Sequence, residues 1–115
     1  MISSARYSKI DAKNQAVFSP KVIGLLRDWD YDGVVISDDL GAAVSVSKIP
    51  AGQRALRFLS AGGDVVINAS PALVGPMVDA VKVEAGKDEA FAEQVTRSVA
   101  RVLRMKQGLG IVSCG

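Results

Sequence analysis

Short unbroken apolar runs alternate along this chain with longer stretches in which apolar residues recur every three or four positions. Val34-Val35-Ile36 and Val65-Val66-Ile67 are runs of the first kind, and Ile2-Ser3-Ser4 opens the chain in a similar way. Such runs read as strands buried on both faces. Between them the pattern turns helical. Ser19 precedes Pro20, an N-cap followed by a first-turn proline, and Val22, Leu25, Leu26 and Trp29 then fall on one face. A second helix is predicted from near Pro50, with Leu56 and Leu59 towards the sheet and Gly62-Gly63 as its stop. Ser70-Pro71 repeats the cap-and-proline opening. Val74, Met77, Val78 and Val81 then carry a third helix to about Ala85, where Gly86 ends it. Asp88 caps a last helix with Phe91, Val95, Val99, Val102 and Met105 on its inner face. Arg104 and Lys106 lie in its basic last turn, and Gly108 is its stop.

The two acidic-led openings Asp32-Gly33-Val34 and Gly63-Asp64-Val65 are spaced about one strand–helix–strand unit apart, near ~30 residues. Buried strands joined by helical crossovers imply a parallel sheet in an α/β protein. Three such strands leave both sheet edges open, which favours pairing with another chain.

Composition sharpens this picture. Hydrophobic residues make up 49% of the 115 positions. With glycine counted and tyrosine left out the share is about 57%, against about 45–50% for an average globular chain. That surplus suggests faces built to meet neighbours. Charge adds little: 14 basic and 12 acidic residues give +2. With aromatics at 5% and no basic stripe, nucleic-acid binding is not expected. No apolar run approaches the ~18 residues of a membrane span, and no signal-peptide pattern opens the chain. Cys114 is the single cysteine, and there is no histidine. Imidazole catalysis and His-containing zinc sites are therefore excluded for this chain alone, and no metal or cofactor is expected.

The candidate chemistry gathers after the run Gly33-Val34-Val35-Ile36-Ser37. Asp38 comes directly after it, with Asp39-Leu40-Gly41 next. A carboxylate surfacing at the C-terminal tip of a buried strand stands on the face where α/β proteins place their sites. The plainer alternative is a turn aspartate or a helix cap. Ser3, Ser4, Arg6 and Tyr7 at the end of the first strand, and Asn68 and Ser70 at the end of the third, are weaker rim candidates.

The wording of these segments carries a resemblance. Asp32-Gly33-Val34-Val35-Ile36-Ser37-Asp38-Asp39-Leu40-Gly41 resembles the nucleophile segment of glycoside hydrolase family 3, of the bacterial β-N-acetylhexosaminidase and β-glucosidase type. Met1-Ile2-Ser3-Ser4-Ala5-Arg6-Tyr7, Ile10-Asp11 and Phe18-Ser19-Pro20-Lys21-Val22-Ile23 are similar to the family's strand, loop and helix start on the N-terminal side of that segment. Arg54-Ala55-Leu56 and Ala61-Gly62-Gly63-Asp64-Val65 are similar to the family's helix and strand entry on its C-terminal side. The family's catalytic domain is a (β/α)8 barrel of roughly 250 residues. The resemblance therefore implies that residues 1–115 form a single partial domain, the last three βα units of a TIM barrel, incomplete on its own.

For the site, the resemblance implies that Asp38 is the catalytic nucleophile and forms a covalent glycosyl-enzyme. From their places beside it, Tyr7, Asp39 and Ser3 are the candidate substrate-binding residues, with Asp39 read as fixing a loop through backbone N–H groups and Tyr7 equally readable as a loop aromatic packed on the rim. The implied substrate is a β-linked N-acetylhexosamine or glucose. The family's general acid is a histidine on an earlier loop, or comes from a following domain, and neither is in this chain. Little turnover is expected from it alone. The implied partners are a carbohydrate substrate and the missing N-terminal part of the barrel, or further copies of the chain through its open edges. Gly41-Ala42 departs from the hexosaminidase pattern, which leaves the sugar preference open. No compartment is assigned, although full-length relatives are often exported. Two other readings remain: a non-catalytic βα scaffold or assembly unit, and an Asp-dependent phosphotransfer module. The second fits less well, because its carboxylates are not normally adjacent and Ser3-Ser4 stands where an acidic pair belongs.

Overall fold

A computed structural model describes residues 1–113, so Cys114 lies outside the described residues. Two parallel strands, β1 (Ile36–Asp39) and β2 (Val65–Ile67), form the sheet. Among the described residues the sheet is accompanied by four α-helices: α1 (Pro20–Asp28), α2 (Ala51–Ser60), α3 (Val74–Ala85) and α4 (Glu89–Gly108). Short 3-10 turns at Ala16–Phe18, Val44–Val46 and Pro71–Leu73 lead towards α1, α2 and α3.

The first expected strand is reduced to one parallel bridge, Ile2 with Ser37. It is nonetheless bonded on both sides, since Ile2 N donates to Ile36 O and Asp38 N donates to Ile2 O, each at 2.8 Å. β1 thus lies between Ile2 and β2. The second strand begins later than the apolar run suggests, at Ile36 rather than Gly33, and includes Asp38 instead of ending before it. The reason is visible in the bonding. The Gly33 carbonyl accepts from Arg27 Nη1 and the Val34 carbonyl from the Tyr31 hydroxyl, while Val35 N donates to the Asp64 carboxylate. Side chains take the groups that a ladder would otherwise pair. Within the ladder Ile36 faces Val65 and Asp39 faces Ile67, so β1 carries one extra residue, a bulge in the stretch that holds Ser37 and Asp38.

The core is built from Val17, Phe18, Ile23, Val35, Leu40, Val46, Ala55, Phe58, Leu59, Met77 and Phe91, with Leu56 packed against it. Ser19 caps α1 as expected, its hydroxyl accepting from Val22 N at 3.2 Å, and Asp88 caps α4 through Phe91 N. Ser70 does not repeat the device, because its side chain makes no cap bond and a 3-10 turn intervenes before α3.

Two helix faces are phased differently from the sequence expectation. On α1 the buried residue is Ile23, while Trp29 is 72% exposed. Trp29 is the C-cap, beyond the last helical turn, so it leaves the face that Leu26 still shares. On α4, Phe91 and Val95 pack inward, but Val99 and Met105 are largely exposed. The inner stripe instead continues through buried Ser98 and through Arg101, both bonded to Asp64. A polar anchor sets the rotation of this helix. Its C-terminal stop is also Gly110 rather than Gly108: Gly110 has φ +70°, Gly110 N donates to Gln107 O, and Ile111 N to Lys106 O.

Asp64 is the main tie at the N-terminal end of β2. Its side chain is fully buried and accepts from Arg27, Val35 N, Ser98 and Arg101, at 2.7–3.0 Å. One carboxylate thereby joins α1, the segment before β1, and α4, at the opposite end of the sheet from Asp38.

Candidate active site

The C-terminal end of β1 gathers Asp38, Asp39 and Ser4. Asp38 is half-buried. Its Oδ2 accepts from the Ser4 hydroxyl at 3.1 Å and from Ser4 N at 3.4 Å, and its Oδ1 accepts from Asp39 N at 2.9 Å. An ionised carboxylate has about four acceptor positions, so three donors leave room for a further partner. The preceding Ser37 is fully buried. Its hydroxyl donates to Asp38 O and accepts from Ile67 N at 2.9 Å, stitching β1 to β2 beneath the site.

Asp39 has a different surrounding. Oδ1 accepts from Gly41 N at 2.8 Å and Ala69 N at 2.9 Å, and Oδ2 accepts from Ala42 N at 3.1 Å. The Ala69 N–H, then that of Gly41, with Ala42 and the charge of Arg54 adding to them, hold its carboxyl below the ordinary carboxylate value despite partial desolvation. This one side chain spans the loops that lead out of β1 and β2. Arg54, on α2, secures the first of these loops from beneath. It is buried, and its guanidinium donates to the carbonyls of Ile49, Leu40, Gly41 and Ser47. A fork of fixed donors suits several carbonyls at once, which a lysine ammonium does not. Gly41 has no room for a side chain, because a Cβ there would collide with Asn68 Oδ1. Asn68 itself closes the turn after β2 by accepting from Ser70 N at 2.8 Å.

The other rim residues are less tightly drawn in. The Ser3 hydroxyl accepts locally from Ala5 N at 3.4 Å, while the Ser3 carbonyl receives Val17 N. Tyr7 is half-exposed, in a shallow concavity with Arg6, Ser8, Lys9 and Ile10. Its carbonyl accepts from Ile10 N and Asp11 N. Asp11, at the far end of this loop, is buried. It accepts from the Asn14 amide, the Ser19 hydroxyl at 2.7 Å, and the N–H groups of Lys13 and Asn14. The Asn14 amide foremost, then the Ser19 hydroxyl, hold its carboxyl well below the ordinary range.

Sequence reasoning puts Ser3 and Ser4 together at the rim but selects Ser3 as the binding residue. The structure brings Ser4, not Ser3, onto Asp38. A single bridge is too short for side-chain alternation to assign faces, so the sequence holds no signal to separate the two. Arg54 as a loop anchor is also missed, since a long basic side chain on a helix ordinarily reads as surface. Among the described residues no three His, Cys, Asp or Glu side chains gather as a metal would require, and no helix is long and apolar enough to cross a membrane.

Asp38 and Asp39 stand at the C-terminal end of a parallel strand, the end at which α/β folds place their sites. The profile of the glycosyl hydrolase family 3 N-terminal domain matches residues 1–105. The chain belongs to glycoside hydrolase family 3. It is similar to the β-N-acetylhexosaminidase of Beutenbergia cavernae, at 37% identity and a TM-score of 0.87, over 91% of this chain and 32% of that one. A family 3 β-N-acetylglucosaminidase from a Paenibacillus species aligns at 31% identity and TM-score 0.80, over 98% of this chain and 23% of its own. The β-N-acetylglucosaminidase of Thermotoga maritima aligns at 28% and 0.75, over 87% and 23%. The chain thus spans a third or less of the length of these structures. No curated protein sequence matches it significantly.

Proposed function

We propose that this chain supplies the nucleophile-bearing part of a retaining β-N-acetylhexosaminidase, and that Asp38 attacks the anomeric carbon to form a glycosyl-aspartate. The observation that carries this reading is the position of Asp38. It stands at the C-terminal end of the central strand, with hydrogen-bond donors on both oxygens and acceptor capacity to spare. Residues 1–115, read as one partial domain, correspond in this proposal to the last three βα units of a (β/α)8 barrel. Ser3 and Tyr7 border the sugar from the first strand's loop. Asp39 serves the sugar indirectly, by holding the loops that wall the pocket. The general acid comes from outside the chain, which has no histidine. Acid–base assistance contributes typically ~10²–10⁴-fold, so the chain alone is nearly inactive. What it retains is attack on activated aryl glycosides.

A chimera tests this directly. The chain replaces the segment it matches in the Beutenbergia cavernae enzyme, and release of nitrophenol from an aryl N-acetyl-β-glucosaminide is monitored. Turnover is expected, and Asp38→Ala should lower it by about a thousandfold or more. A folded chimera in which Asp38→Ala keeps its parent's rate sinks the proposal.

A further inference from the structure

We propose that Ser4 is a positioning residue for Asp38, an inference that rests on the nucleophile reading above. A strand fixes where the Cα–Cβ bond of Asp38 points, but it leaves χ1 and χ2 to be set by what the carboxylate meets. The bond from Asp39 N to Oδ1 is made by the next residue in the chain. It holds Oδ1 against the strand's own backbone and leaves Oδ2 to be held from across the sheet. The bonds from Ser4 are the cross-strand restraint, from a residue 34 positions away.

Ser4 is well placed to act as a fixed point. It lies two residues beyond Ile2, whose N–H and carbonyl are both bonded to β1 at 2.8 Å. Its chain neighbours are also tied, with Val17 N on Ser3 O and Ala16 N on Ala5 O at 2.7 Å. The hydroxyl therefore comes from backbone anchored on both sides. It reaches Oδ2 at 3.1 Å, a closer approach than the 3.4 Å of the Ser4 N–H. A hydroxyl donating to a carboxylate is a charge-assisted bond, stronger than a neutral one. In a nucleophile it fixes one oxygen, and with it the plane of the carboxylate, while the remaining acceptor capacity faces the site. A misplaced reacting atom is costly, on the order of a hundredfold for 1 Å.

The test reads side-chain geometry first and rate second. In the chimera, with its aspartates isotope-labelled, three-bond couplings report χ1 of Asp38. One rotamer is expected in the unsubstituted chimera, averaging in Ser4→Ala, and one rotamer again in Ser4→Thr, which keeps the hydroxyl. Averaging already in the unsubstituted chimera, or a single rotamer in Ser4→Ala, overturns the inference. In the chimera, Ser4→Ala should lower kcat about ten- to a hundredfold with KM within about twofold, and Ser4→Thr should recover most of the loss. If Asp38→Ala abolishes turnover while Ser4→Ala leaves kcat unchanged, the positioning role is refuted and the nucleophile reading stands. If Asp38→Ala itself retains turnover, the nucleophile reading is what fails.

Discussion

Four aspartates carry most of the polar architecture, and the structure gives each a different task. Asp38 keeps acceptor capacity free, Asp64 is sealed among arginines, and Asp11 and Asp39 are engaged by N–H and hydroxyl donors. The last two have a consequence for acid stability. Their folded carboxyls are held below the ordinary value, Asp39 mainly by the Ala69 N–H and Asp11 mainly by the Asn14 amide. The unfolded chain therefore binds protons before the folded one does. The stability these groups contribute is whole above the ordinary carboxylate pKa and is lost as pH falls below about 4. Urea midpoints measured from pH 7 downward should show it. Asp11→Asn and Asp39→Asn should each be less stable than the native chain at pH 7, with the gap narrowing as acid is added. Equal acid slopes for all three chains would contradict the assignment. In the sequence these carboxylates look alike. The end of a buried run singles out Asp38, but the partners of Asp11 and Asp39 are largely backbone N–H groups whose directions exist only after the loops have closed.

Helix boundaries were the most legible elements, because caps are local chemistry. Ser19, Asp88 and the Gly62-Gly63 stop all act where the residue types suggest. Helix rotation was less legible, even on α1, where the apolar face counted from Val22 to Trp29 leaves out Ile23, the residue that is buried. On α4 the buried partner of Asp64 is Ser98, so counting apolar positions leads to Val99 and Met105 instead. The end of α1 shows the same boundary logic met by an unusual residue. Asp30 N donates to Arg27 O and Tyr31 N to Leu26 O, the same paired bonds that Gly62 and Gly63 make after α2. Gly62 has φ +102°, the left-handed region that suits glycine, but at the corresponding place after α1 stands Asp30 with φ +58°. A Cβ there costs about 1 kcal/mol, somewhat less for Asp, and glycine's greater unfolded entropy offsets part of that. Asp30→Gly should therefore stabilise the chain by about 0.5 kcal/mol, seen as a rise in the thermal midpoint. Asp30→Val should lower the midpoint more than Asp30→Gly raises it, because a β-branched residue fits this conformation worst. A midpoint that falls in Asp30→Gly would show that the aspartate side chain does more at this corner than complete the turn.

At the scale of the whole molecule, the question is what an open parallel sheet does in water. β1 is covered on both sides, by Ile2 and by β2, so the unpaired backbone groups lie on the outer edges of Ile2 and β2. Ile2 lines one groove with Met1, Leu26, Tyr31, Val34 and Val35, and Val66 of β2 lines another with Ala55, Leu59, Met77, Val78, Val81 and Lys82. The two edges differ, so copies that paired through them would meet head to tail, the first edge of one chain on the β2 edge of the next. Such contacts close into a ring only when the rotation per copy permits, and otherwise continue into open chains. Association should therefore be graded rather than ending at one size. Light scattering after size exclusion is expected to give a mass above the 12.0 kDa of one chain, rising with concentration. A lysine at Val78, exposed in the second groove, should shift the distribution towards monomer, and the exposed Val99→Lys should not. A sharp 12.0 kDa peak that persists at about 100 µM would mean that the edges are protected by something other than pairing.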